Sequence, residues 1–246
     1  MLTDANLRHT PLTVLVAARY RAAMTTIRPA RPADLPRLRT VCALAYDDNP
    51  LMRWVLPDDA LRVAACAAWL GPSLERYVAA GHVDVLTADD EVVAVAAWRL
   101  PGTAVASSGA GAGPGAGTGA GAPPPPRPAA VLGALVGDER ATQVLGALAG
   151  STALAPASAG PYLNYLAVLP TQQGRGSGGR LLRHGLETLA GVVGTPWLAT
   201  TDPRNVPFYE RHGFTTAGTH RLGDDGPRLA VLHLDAGGTP RGPSGA

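Results

Sequence analysis

The chain of 246 residues is 46% apolar and 16% charged, with a formal net charge of +2 at pH 7. That length supports one substantial core or two small ones, and the near-balanced charge gives no reason to expect a nucleic-acid partner. All 21 basic residues are arginine, which, with so much Ala, Gly and Pro, reflects GC-rich coding rather than a binding role.

Residues 1–23 contain a short apolar run, Leu12 to Ala18, broken by Thr13 and preceded by Asp4 as well as Arg8. A secretory signal has a basic start and a longer apolar centre. The segment therefore reads as a loose N-terminal extension, either an overextended gene start or an arm. Met24 opens the domain proper, with a strand over 25–29 and a helix over 31–48 whose Leu35, Leu38, Val41, Cys42 and Tyr46 recur near helical spacing. Residues 58–80 give one or two helices, interrupted near Gly71-Pro72, and 82–100 give two strands around a turn at Ala88–Asp90. Cys42 and Cys66 both fall in apolar helical surroundings, as small core fillers of a protein in a reducing compartment, the cytoplasm. Neither they nor the six scattered histidines have metal-site spacing, so no metal is expected. No apolar run approaches the roughly 18 residues of a membrane span.

Residues 102–128 are Gly/Ala/Pro low complexity and predict a disordered insertion within a single domain covering 24–235, because the halves on either side lack enough strands to stand alone. A weak helix over 129–149 follows, with Val131, Leu135, Val144 and Leu148 as its stripe. "PYLNYLAVL", 161–169, is apolar on both faces apart from Asn164, as in a central strand. A helix from Gly176 to Val193 shows Leu182, Leu186, Leu189 and Val193 on one face. "PWLATT" is a strand, Asn205 caps a short helix with Pro207 in its first turn, and "GFTTAG" and "RLAVLHL" are two more strands. The tail, 236–246, is Gly/Pro-rich and flexible.

The informative stretch is "QQGRGSGGRLL", 172–182, where bare backbone amides run into a helix start. Such a site binds anions, most often phosphate. A P-loop requires Lys-Ser/Thr after its last glycine, and here Gly179 is followed by Arg180-Leu181. Gly174, Gly176 and Gly179 spell the dinucleotide fingerprint, with Asp202 beyond. Its glycine should follow the strand directly, yet Leu169 to Gln173 intervene and little chain remains for further parallel strands. A merely flexible glycine turn is the bland alternative. The third template is Gln/Arg-x-x-Gly-x-Gly/Ala after a strand ending in Val-x-Pro, which Gln173, Gly176 and Gly178 fill behind Val168 and Pro170.

At this point the sequence resembles the GNAT superfamily of acyl-CoA-dependent N-acyltransferases. The downstream segment "TTDPRNVPFYERHGF" agrees, with Asn205, Phe208, Tyr209, Gly213 and Phe214 matching the Asn, Phe-Tyr and Gly-Phe that follow the loop helix. "PRNVPFYERHGF" and "YLNYLAVLPTQQGRGSGG" are similar to the puromycin N-acetyltransferase-like subgroup. The resemblance is strong over 161–234, weaker over 25–100, and absent from 1–23 and 102–128. It implies an α/β (α+β) GNAT fold, a mixed and mostly antiparallel sheet of six to seven strands flanked by helices.

The resemblance further implies acetyl-CoA as co-substrate, with the main-chain amides of Gln173, Gly174, Arg175, Gly176, Ser177 and Gly178 on its pyrophosphate. Glycine permits close backbone approach, and the next helix adds its positive dipole end. Arg175 and Arg180 either assist or are solvated. Leu166 and Val168 would offer main-chain bonds to the pantetheine arm where the fourth strand splays from the fifth. Tyr209 occupies the position of the general acid that protonates the leaving thiolate; a core tyrosine beside Phe208 is the alternative. Asn205 would contact the co-substrate, cap a helix, or both. Many relatives carry a Glu in the strand before the loop, and here that position falls on Asn164, which takes no proton. Asp47 and Asp48 are the candidates for base or amine binding, unless they form an ordinary turn with Asn49-Pro50. Tyr46 and Trp54 line an aromatic-tolerant pocket or pack in the core. The expectation is direct transfer in a ternary complex to a small-molecule amine, of aminonucleoside or aminoacyl type and resistance-like, by a monomer or homodimer that engages neither nucleic acid nor membrane. The alternatives are acetylation of a protein or peptide, and a non-catalytic acyl-CoA sensor.

Overall fold

A computed structural model describes residues 25–102 and 126–235. The extension at 1–23, most of the insertion and the tail at 236–246 lie outside the described residues. Among the described residues seven strands form one sheet in the order β1-β2-β3-β4-β5-β7-β6. They are β1 (Thr25–Pro29), β2 (Val83–Ala88), β3 (Glu91–Arg99), β4 (Ala159–Val168), β5 (Thr195–Thr200), β6 (Phe214–Arg221) and β7 (Arg228–Leu234). Every neighbouring pair is antiparallel except β4 and β5. The expected fold class is therefore the observed one.

Among the described residues seven helices accompany the sheet: α1 (Leu35–Tyr46), α2 (Pro50–Val55), α3 (Arg62–Ala79), α4 (Pro128–Val136), α5 (Asp138–Ala149), α6 (Ser177–Thr188) and α7 (Val206–Glu210). On β3, Ala97 lies opposite Tyr165 and Trp98 opposite Leu163. Successive strand residues face opposite sides, so these two positions mark the two layers. Tyr165 meets Tyr46 of α1 and Tyr77 of α3. Trp98 lies against Gly185 of α6 so closely that a Cβ there would strike the indole nitrogen.

Three sequence expectations give way to packing. The helix over 62–79 runs unbroken through Gly71-Pro72. Its Cys66, Trp69, Leu70, Leu74 and Tyr77 are all buried, and that burial outweighs the hydrogen bond lost at proline. Gly71 contributes by making room for the Arg39 side chain, which crosses it to pair with Glu75. The expected single helix at 129–149 is two, turning at Gly137, and its buried face carries Leu132, Ala141 and Val144 while Leu135 is exposed. Asp47 and Asp48 form the turn that was the alternative for them, closed by the Asn49 N–H donating to the Tyr46 carbonyl at 3.0 Å, and the short helix α2 follows with Asn49 as its cap: the Asn49 side chain accepts from the Leu51 N–H at 2.9 Å. The helix of the glycine loop stops at Thr188, leaving Val193 exposed. The end of the insertion is also ordered. The Arg76 guanidinium donates to the Pro126 carbonyl at 3.1 Å, and Pro128 begins α4.

The feature that positions the site is the divergence of β4 from β5. Their pairing runs from Ala159–Thr195 to Leu163–Leu198 and stops there, while β4 stays paired with β3 as far as Val168. At the paired end the backbones of Gly160 and Gly194 touch, so a Cβ on either would collide with main chain. At the point of divergence Asn164 is an extra residue, skipped between Leu163 and Tyr165 in the register with β3. Such a bulge bends its strand and re-aims the residues beyond it. Cys42 and Cys66 are free and buried in the core. No described helix is long and apolar enough to cross a membrane.

Candidate active site

Beyond Asn164 the even-numbered residues of β4 turn their main-chain groups away from β3, toward the space β5 has vacated. Two contacts establish this. The Leu166 N–H donates to the Tyr46 hydroxyl at 3.1 Å, and the Gln173 side-chain amide donates to the Val168 carbonyl at 3.1 Å. Leu166 and Val168 thus stand at the cleft edge where the sequence puts them. The partners that meet them there were not legible in the sequence.

The cleft opens into a cavity of about 770 Å³ whose wall includes Tyr46, Asp47, Leu166, Val168, the glycine loop, Asn205 and Tyr209. A 3₁₀ turn at Pro170–Gln172 leads from β4 into the loop. Gly174 and Gly176 have φ of 73° and 78°, in the left-handed region that side chains rarely adopt. A Cβ at either would meet nothing within 4 Å, so these glycines are required by the backbone path and face open space. Ser177 begins α6, whose first-turn amides have no intrahelical acceptors. Gln173, Gly174, Gly176, Ser177 and Gly178 all line the cavity. Open space over bare amides at the positive end of a twelve-residue helix fits a pyrophosphate. Arg175 is exposed and is not part of the cavity wall, and Arg180 is taken by Thr25 at the start of β1.

The second wall comes from the segment after β5. Asp202, not Asn205, supplies the cap: its carboxylate accepts from the Arg204 N–H at 2.9 Å and grips the Arg204 guanidinium at 2.8–3.1 Å. That grip holds the Asp202 carboxyl below its usual range. Asn205 makes no capping bond, so its exposed side chain is free to face the cavity it lines. Tyr209 is buried, with its ring edge-on to Phe208 at 5.1 Å and to Phe214 at 6.0 Å. Burial, with Tyr162 nearby, pushes its phenol well above the ordinary value, so it stays protonated at neutral pH.

The acidic pair divides. Asp48 is exposed and paired with Arg53 at 2.6 Å and Arg204 at 3.4 Å. Asp47 lines the cavity with one buried carboxylate oxygen that accepts no hydrogen bond, 3.9 Å from an Arg62 nitrogen. Next to them the Asn49 side chain accepts from the Thr201 hydroxyl at 2.9 Å, tying the α1–α2 junction to the loop after β5. Asn164 and Trp54 are not part of the cavity wall. Trp54 instead donates to Asp225 at 3.0 Å and lies under the Arg140 guanidinium at 4.3 Å, which anchors α2 from outside.

Residues 134–216, from the end of α4 to the start of β6, match the model of the acetyltransferase (GNAT) domain. The chain is similar over 87% of its length to a Corynebacterium glutamicum structure described as histone acetyltransferase HPA2 and related acetyltransferase. Identity is 25% and the TM-score 0.60, with 98% of that chain covered. The matched span and the fold around it are thus similar to those of a GNAT acetyltransferase domain. An agmatine N-acetyltransferase, at 18% identity and a TM-score of 0.52 over 85% of this chain and 99% of its own, shares the GNAT fold. The match over 134–216 supports acetyl-CoA-dependent N-acetylation. The splay, the glycine loop and α7 all lie inside the matched span. Tyr46 and Asp47, from α1 and its junction, reach the same cavity from outside that span.

Proposed function

We propose that this GNAT domain moves the acetyl group of acetyl-CoA directly to the amine of a small molecule in a ternary complex. The observation that carries the reading is a single cavity joining the glycine-loop amides, the cleft edge of β4, the Tyr209 phenol and the Asp47 carboxylate. The amides of Gln173–Gly178 bind the pyrophosphate, with Arg175 free to reach it from the surface. The Leu166 carbonyl and the Val168 N–H hold the arm, the other main-chain group of each residue being engaged by Tyr46 and Gln173. Asn205 faces the same cavity and contributes its amide.

Attack requires a neutral amine, and the departing sulfur requires a proton. Tyr209 fits the second task because a phenol raised by burial holds its proton at neutral pH and so has one to give to the departing thiolate. Three carboxylates line the cavity, and two of them, Asp48 and Asp202, are held by arginine. The buried oxygen of Asp47 stands 3.9 Å from Arg62, and the exposure of the side chain belongs to its other oxygen, which is the one to attract a cationic amine and accept its proton. The likeness of 203–214 to the puromycin N-acetyltransferase-like subgroup supports an aminonucleoside or aminoacyl acceptor.

The test is thiol release from acetyl-CoA against a panel of aminonucleosides, aminoacyl compounds, polyamines and peptides. Turnover restricted to small amines is expected. Turnover with peptides alone would move the acceptor to protein, and binding of acetyl-CoA without thiol release for any amine would make the domain a sensor.

A further inference from the structure

The cavity contains a second phenol that the proposed chemistry leaves unused. Tyr46 ends α1 and lines the same wall as Tyr209. Its oxygen accepts the Leu166 N–H at 3.1 Å, beyond the last β4–β5 pair, so the main chain at the cleft edge fixes where this hydroxyl stands. Its ring is held against Tyr165, tilted by 45° at 6.5 Å, and Tyr165 meets Tyr77 edge-on at 5.8 Å.

A hydroxyl has one proton to give and two lone pairs to receive. Accepting from Leu166 leaves the proton, and no described residue takes it. The Leu166 N–H is committed to Tyr46, so the donor this part of the strand presents to the cavity is the phenol rather than the amide. Burial, then Cys42 and then Tyr209, pushes the Tyr46 phenol well above its ordinary value. Tyr46 therefore remains protonated, most firmly once Tyr209 has given up its proton.

Resting on the acetyl-transfer reading, we propose that Tyr46 is a catalytic hydrogen-bond donor to the thioester carbonyl oxygen, anchored by the Leu166 N–H while Tyr209 protonates sulfur. The carbon–nitrogen bond forms and the carbon–sulfur bond breaks. The amine loses one proton to Asp47, sulfur gains one from Tyr209, which solvent then reprotonates, and Tyr46 transfers none. It offers its O–H to an oxygen that gains negative charge during attack and loses it as the thiolate leaves. A neutral donor whose position is set by backbone needs no rearrangement when that charge develops.

Tyr46→Phe removes the donor and keeps the ring. The expected result is a fall in kcat of about 10²- to 10³-fold, the usual loss for one such donor, with KM for acetyl-CoA and for the amine nearly unchanged. A second readout needs no turnover. In isotope-edited infrared spectra of bound carbonyl-¹³C acetyl-CoA, the stretch should lie below its value in water for the wild type and return toward that value in Tyr46→Phe. If that variant does not fold, a fluorinated tyrosine at position 46 keeps the Leu166 bond, donates more strongly and should lower the stretch further. An active wild type whose kcat and carbonyl stretch do not respond to Tyr46→Phe overturns the role of Tyr46 alone. A wild type that binds no acetyl-CoA overturns the acetyl-transfer reading, and this inference with it.

Discussion

Tyr209→Phe separates chemistry from packing because the structure assigns ring and hydroxyl to different tasks. The ring is buried, edge-on to Phe208 and Phe214, and phenylalanine keeps both contacts. Such aromatic pairs contribute about 0.5–1.5 kcal/mol each beyond area burial, so nearly all of the stabilisation survives. The hydroxyl has no hydrogen-bond partner among the described residues, so its removal orphans no neighbour, and deletion of that kind is close to neutral for folding. Its loss as an acid is not neutral. Positioned proton transfer contributes about 10²- to 10⁴-fold, or about 2.7–5.4 kcal/mol of activation free energy. Thiol release under saturating acetyl-CoA should fall by that factor, while the melting temperature and the calorimetric affinity for acetyl-CoA stay at wild-type values. In the wild type the raised phenol keeps its proton up to and beyond its ordinary value, so no loss of rate from Tyr209 should appear between neutral pH and about 10. Undiminished turnover in Tyr209→Phe would refute the assignment. Collapse of the melting temperature would show that the hydroxyl is structural.

Asp47→Asn should raise KM for cationic amines about tenfold, the low end of what a charged hydrogen bond contributes, leave KM for an uncharged aromatic amine as it was, and lower kcat by about 10²- to 10⁴-fold through loss of the base; steady-state kinetics on both amines decides it. Gly185→Ala should destabilise the fold by about 1–3 kcal/mol, because the new methyl lands on the indole of fully buried Trp98. In a domain of this size that lowers the melting temperature by about 2–4 °C per kcal/mol, readable by calorimetry. Asp202 has a lowered carboxyl, so its contribution is present above its unfolded value of about 4 and is lost as pH falls through the lower native value. Urea midpoints between pH 6 and pH 3 should therefore fall less steeply in Arg204→Met than in the wild type.

The glycine loop, the strand before it and the Tyr209 helix were legible because each constrains the local chain. Left-handed glycines, a strand-ending proline and a Phe-Tyr pair at fixed spacing leave marks within a dozen residues. The unbroken α3 was not legible, because a Gly-Pro pair carries the same local signal whether or not α1 packs over it. The same holds for the bulge at Asn164. The sequence marks that residue as an oddity in an apolar strand, but the skipped pairing belongs to its register with β3, more than sixty residues earlier in the chain. The division between Asp47 and Asp48 depends on Arg204, 156 positions after Asp48, and the Tyr46–Leu166 bond spans 120. Local pattern supplies the cleft's edge and its acid. What stands across from them is fixed by contacts distant in sequence.

The Gly160–Gly194 contact has a consequence for how acceptor range can change. With main chain against main chain at its vertex, the wedge between the two central strands has a set angle, like callipers riveted at the joint. Substitutions in those strands cannot spread it gradually; they either fit or break the rivet. New acceptors are therefore most readily accommodated by altering the jaws' tips, at Asp47–Asn49 and Thr201–Arg204, where side-chain clasps rather than backbone span the gap. In a selection for altered amine scope, winning mutations should gather at those tips and spare the two glycines.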